Sequence, residues 1–141
     1  FRDVQFYLIE IVARGGGYLI SAEIVPYMSG YDNYEALIQM ALGEKNVKQP
    51  SIAPELKKRC AVLEFFDAPG KGGVVKAIEG EEFLSNNPNV LSYRFNFKLG
   101  DTIQQAVCDT ARIGFYIAYA DSRWELQQLM NDIQEKVKFI I

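Results

Sequence analysis

From Val4 to Arg14 the chain is apolar on both sides of an extended backbone. Side chains of a strand alternate between faces. Val4, Phe6, Leu8, Glu10, Val12 and Arg14 therefore share one face, and Gln5, Tyr7, Ile9, Ile11 and Ala13 the other. Both faces are largely apolar, which predicts a strand over residues 4–14 covered on both sides. One carboxylate, Glu10, stands inside it, where it needs a cation, a metal or hydrogen-bond donors to offset its burial. Gly15, Gly16 and Gly17 end the strand.

Further along, the pattern changes period. A short helix is predicted from Ser21, interrupted near Pro26, followed by a turn at Ser29-Gly30-Tyr31. Asp32 reads as an N-cap with Glu35 at the third helical position, and Ala36, Leu37, Met40, Ala41 and Leu42 form an apolar stripe before Gly43. This predicts a helix over residues 33–42. Residues 44–57 are polar and contain Pro50 and Pro54. They divide the chain into residues 1–45, a linker over 46–57 and a second lobe over 58–141. In that lobe, residues 58–67 and 74–78 read as a hairpin around Pro69-Gly70-Lys71-Gly72-Gly73. One helical turn follows between Gly80 and Asn86. Strands are predicted over residues 89–98 and 111–120, with a turn at Leu99-Gly100-Asp101. Ser122-Arg123-Trp124-Glu125 is a capping box opening a helix to about residue 135, with Leu126, Met130 and Ile133 inward and Trp124 as a lobe contact. Residues 136–141 close the lobe as a strand. The fold class expected is α+β with antiparallel hairpins.

Composition narrows the chemistry. Length 141, 49% hydrophobic and 23% charged describe an ordered globular chain of one domain or two small lobes. A net charge of −3 argues against a nucleic-acid binder. No apolar run has the length of a membrane span, and no secretory signal opens the sequence, so the expected location is cytoplasmic. The chain has no histidine, which removes histidine bases and histidine metal ligands. Cys60 and Cys108 cannot make a zinc site by themselves, and no disulfide is expected. Any metal would be a hard cation held by oxygen, such as Mg²⁺. Because it starts at Phe1 and runs directly into an apolar strand, the chain reads as a piece of a larger protein.

Glu10 supports two readings: a metal ligand, or a structural carboxylate paired with a lysine or arginine of a neighbouring strand. Arg14, four residues on, lies roughly 13 Å away along an extended strand. The pair is better suited to adjacent parts of one extended anion than to a direct ion pair, and the planar arginine fork matches phosphate or carboxylate oxygens. Gly15-Gly16-Gly17 either brings backbone close to a ligand or is simply a flexible connection. The Gly70–Gly73 cluster lacks phosphate-loop spacing. Asp101 and Asp109 read as turn or cap residues, and Phe65, Phe66, Tyr93, Phe95 and Phe97 as core.

These residues resemble a known family. Glu10-Ile11-Val12-Ala13-Arg14-Gly15-Gly16-Gly17, Ile24-Val25-Pro26, Gly30-Tyr31-Asp32 and Ala41-Leu42-Gly43 look like the end of an ATP-grasp domain of the L-amino acid ligase branch. Phe65-Phe66-Asp67-Ala68-Pro69-Gly70, Ile78-Glu79-Gly80, Lys98-Leu99-Gly100-Asp101 and Arg112-Ile113-Gly114 are similar to that family's small C-terminal lobe. The resemblance implies ATP-dependent joining of a small-molecule carboxylate to an amine through an acyl phosphate, with ATP and Mg²⁺ as cofactors. It implies that Glu10 binds Mg²⁺, that Arg14 steadies the transferred phosphate, and that Gly15 and Gly16 border the substrate pocket. Where many ATP-grasp enzymes carry a further asparagine ligand, two residues after the glutamate, this chain has Val12. The family's nucleotide-binding lysines, its glycine-rich loop and its other acidic ligand would precede Phe1. The 141-residue chain alone is therefore expected neither to bind ATP tightly nor to turn over. The alternative is a non-catalytic module, either carrier-like or dimerising through a sheet edge.

Overall fold

A computed structural model describes Tyr7, Leu8, Glu10 and residues 15–48 and 54–141, with the side chains of Lys57 and Thr110 excepted. Most of the strand expected over residues 4–14 lies outside the described residues. The three described positions are irregular and exposed, Tyr7 at 64% and Leu8 at 80%, which departs from the expected burial.

The regular structure begins with a π-helical turn over Ile20–Ile24 that runs straight into α1, Val25–Ser29. Pro26 starts this helix rather than interrupting it, because a proline in the first turn forfeits no intrahelical bond. Helix α2 covers Asn33–Ala41, one residue short of the expected end. Asp32 caps it, accepting from the Tyr34 and Glu35 amides at 3.0 Å each. Its apolar stripe is not a core stripe. Ala36 alone is buried, whereas Leu37, Ile38, Met40 and Leu42 are exposed. A short 3₁₀ turn, Pro54–Lys58, then leads into the sheet.

The remaining strands are β1 Cys60–Phe65, β2 Gly73–Val74, β3 Ala77–Glu79, β4 Val90–Phe95, β5 Thr102–Ile103, β6 Gly114–Ala120 and β7 Lys138–Ile140. Helices α3, Glu81–Asn86, and α4, Arg123–Lys136, intervene. The main sheet has the order β1-β6-β4, entirely antiparallel. β2 pairs with β5 and β3 with β7, also antiparallel. The antiparallel character is as expected, but the hairpin of residues 58–67 with 74–78 does not form. β1 pairs instead with β6, some fifty residues further on, and the glycine turn lets the chain leave the sheet. The expected strand over 111–120 starts only at Gly114, after a 3₁₀ turn at Asp109–Ala111.

Register gives the sheet two distinct faces. Cys60, Val62 and Glu64 lie opposite Ala120, Ala118 and Tyr116, and this face packs on α4 through Leu126, Leu129 and Ile133. Leu129 joins the inner row foreseen from Leu126, Met130 and Ile133. Trp124 is 71% exposed. Ala61, Leu63 and Phe65 lie opposite Tyr119, Ile117 and Phe115 on the other face, which is covered by the segment from Tyr18 to Tyr27. Both capping-box members are engaged: Ser122 accepts from the Glu125 amide at 3.3 Å and donates to the Glu125 carboxylate at 2.8 Å. Phe66, Phe95, Phe97 and Phe139 form an aromatic cluster with centroids 5.3–5.7 Å apart that joins the two cores. Gly80 must be glycine. Its φ of 76° is left-handed, and a Cβ there would collide with the Lys136 carbonyl at the end of α4. Among the described residues no helix is long and apolar enough to cross a membrane.

Candidate functional site

The glycine segment that follows Arg14 is held in one conformation by a buried hydroxyl. Ser21 is 4% exposed, and its Oγ accepts a 2.9 Å hydrogen bond from the Gly16 amide. A Cβ at Gly15 would stand 2.5 Å from that oxygen, so a close backbone approach demands glycine there. Next come two non-glycine residues in the left-handed region, Tyr18 at φ 50° and Leu19 at φ 62°. Each costs about 1–2 kcal/mol and persists only where its surroundings hold it. The Gly17 carbonyl accepts from Ile20 at 3.1 Å and the Leu19 carbonyl from Glu23 at 2.8 Å, fastening the turn to the helix it opens.

Tyr18 is the anchor on the other side. Its ring meets Phe65 edge-on at 4.9 Å and Phe115 at 5.4 Å, and its hydroxyl donates to the Asp109 carbonyl at 3.1 Å. The Arg112 guanidinium lies 4.1 Å above the Phe65 ring and pairs with the Asp109 carboxylate at 3.3 Å. The loop is thereby tied to residues more than ninety positions away. Arg94 lies opposite Phe115, so it shares this face of the sheet. Arg94, Lys98, Asp101 and Arg112 line a neighbouring groove of about 970 Å³. Asp101 is engaged locally, its carboxylate accepting from the Lys98 amide at 2.8 Å. With Arg112 already paired to Asp109, Arg94 and Lys98 are the cations left to the groove beside the occupied Asp101 carboxylate, which favours an anion such as a carboxylate or phosphate.

Of the residues singled out in the sequence, Gly15 and Gly16 sit in this loop and Glu10 is exposed just before it. Arg14 lies outside the described residues. Among the described residues no three Asp, Glu, Cys or His side chains cluster closely enough to hold a metal ion. Asp109 begins a 3₁₀ turn and Asp101 stabilises a turn, as read from the sequence. Ser21 and Tyr18 were not foreseen as site residues. A serine within an apolar helix start was their one signal, because a buried hydroxyl has to find a partner. Arg112 stands in the Arg112-Ile113-Gly114 motif, whose local sequence carries no sign of its contact with Phe65 and Asp109.

Residues 65–141, more than half of the chain, match the family described as L-amino acid ligase C-terminal domain 2. The L-amino acid ligase from Bacillus licheniformis has a crystal structure that superposes with a TM-score of 0.75 at 24% identity, over 95% of this chain and 32% of that one. Phosphoribosylglycinamide synthetase from Anaerococcus prevotii superposes with a TM-score of 0.67 at 17% identity, over 84% of this chain and 30% of that one. This chain thus spans about a third of the length of either structure. No curated protein sequence matches it. The mixed α+β fold with antiparallel sheets is that of the C-terminal part of ATP-grasp ligases. By the match over its second half, the chain belongs to the L-amino acid ligase family.

Proposed function

We propose that this chain is the C-terminal part of an ATP-dependent ligase that joins a small-molecule carboxylate to an amine in the cytoplasm. Residues 1–45 end the catalytic domain, 46–57 link, and 58–141 form a lobe that covers the active site. Glu10 contributes a hard oxygen ligand to Mg²⁺, which fits an ion that takes one or two carboxylates and fills its sphere with phosphate oxygens and water. When bound, Mg-ATP supplies the activating phosphoryl group. Arg14 steadies the anionic phosphate, and Gly15 and Gly16 border the substrate pocket. The observation that most supports this reading is the mooring of the glycine segment to the C-terminal lobe through Tyr18, Asp109 and Phe65. The mooring sets Tyr18, just after the glycines, against Asp109 and Phe65, with Arg112 of the cationic groove over the same Phe65 ring. In the intact ligase, Glu10→Gln is expected to lower Mg-dependent ATP turnover by at least about a hundredfold, the scale of losing one preorganised charge partner. Unchanged turnover removes Glu10 from the metal site.

One observation favours a second reading, an oligomerising interaction module. The exposed face of α2 carries Leu37, Ile38, Met40 and Leu42, and such a patch marks a contact surface. Sedimentation of the 141-residue chain distinguishes the two readings, because a concentration-independent monomer eliminates the module.

A further inference from the structure

The face of the main sheet turned away from the glycine loop holds a polar group with no use in the ligase reading. Tyr116, at the centre of β6, is 1% exposed, and its hydroxyl has no hydrogen-bond partner among the described residues. Buried hydroxyls are almost always paired, and leaving one unpaired is costly. Glu64 is its cross-strand partner in register, so both side chains project towards the α4 side. Glu64 is half-buried there, an unusual place for a carboxylate. Tyr116 and Glu64 line a cavity of about 320 Å³ that also takes in Asp67, Gln134, Lys138 and Phe139.

The charge of this cavity selects its guest. Two carboxylates face one ammonium group, and Lys138 Nζ is already donating to the Gln134 carbonyl at 2.8 Å. The cavity also abuts the C-terminal end of α4, where unsatisfied carbonyls carry partial negative charge. Phe139 and the Tyr116 ring supply apolar walls for a short hydrocarbon stem. We propose that this cavity binds a small primary ammonium compound, with Glu64 and Asp67 as charge partners and the Tyr116 hydroxyl as a hydrogen-bond acceptor. The site lies on the opposite face of the sheet from the glycine loop, so it stands independently of the ligase assignment. Burial and, secondly, the Glu64 charge push the Tyr116 pKa further above its ordinary value, so the hydroxyl stays neutral throughout the pH range of the test.

The test is a titration of the full chain with n-butylammonium chloride near neutral pH, followed by ¹H–¹⁵N NMR, with sodium acetate as the anionic control. Saturable shifts centred on residues 64, 67 and 116 are expected at roughly millimolar concentration, with acetate producing none. Glu64→Gln should weaken binding by at least about tenfold, and Tyr116→Phe by about threefold to tenfold, because a hydrogen bond to a charged group is lost. Glu44→Gln, exposed and on a separate segment, should change nothing. Tyr116→Phe should melt no lower than the parent, since it deletes only an unpaired hydroxyl. That keeps loss of binding distinct from loss of fold. Non-saturating shifts, binding of acetate in place of the amine, or undiminished binding by Tyr116→Phe would each overturn the proposal and leave the hydroxyl merely hydrated.

Discussion

Ser21 and Tyr18 illustrate how single side chains can hold a strained backbone. Ser21→Ala removes the acceptor of the Gly16 amide at a buried position and is expected to cost about 1–2 kcal/mol. Urea unfolding measures the loss, and hydrogen exchange at Gly16 should quicken with it. Gly80→Ala combines a left-handed φ with a collision against the Lys136 carbonyl, so its expected cost exceeds the roughly 1–2 kcal/mol of the backbone conformation alone. Gly43→Ala has a similar φ with open space around it and should stay near that lower figure. Tyr116 brings a pH dependence. Burial, and secondly Glu64, raise its pKa above the ordinary 10.0 of an unfolded tyrosine. The unfolded chain therefore loses this proton first as the solution becomes alkaline. The stabilising contribution is complete below pH 10 and declines above it. Urea midpoints should accordingly fall more steeply above pH 10 in the parent than in Tyr116→Phe.

At the scale of elements, α2 and α4 show that an apolar stripe does not identify what it packs against. α4 buries Leu126, Leu129 and Ile133 on the sheet, while α2 leaves most of its stripe to solvent. Ile133→Ala should cost about 2–5 kcal/mol, the range for a cavity in a packed core. Leu37→Ala, at a position 55% exposed, should change stability by no more than about 0.5 kcal/mol. Comparing the two chemical-denaturation midpoints checks both values. A large loss from Leu37→Ala would mean that α2 is covered in solution.

For the molecule as a whole, the decisive arrangement is a three-stranded antiparallel sheet with the glycine loop moored on one face and α4 on the other. Isothermal titration with Mg-ATP is expected to give no micromolar binding to the 141-residue chain, because phosphoryl transfer depends on several charged groups acting together. Much of this molecule was legible beforehand, and for a common reason. The Asp32 and Ser122 caps, the Gly30 and Gly100 turns, and the extents of α2 and α4 all arise from interactions within three or four residues, which sequence spacing displays directly. The family was likewise readable from short ordered motifs. What pairs with β1, which helix stripe is buried and where Tyr18 docks were not readable. A period of two tells which residues share a face without naming the neighbouring strand. The antiparallel partner of Phe65 proved to be Phe115 across a loop of some fifty residues. Local sequence thus determined the elements and their ends. Only the packed tertiary structure decided the pairings and brought Gly16, Tyr18 and Arg112 to one surface, because long-range contacts are selected by shape and burial across the whole chain.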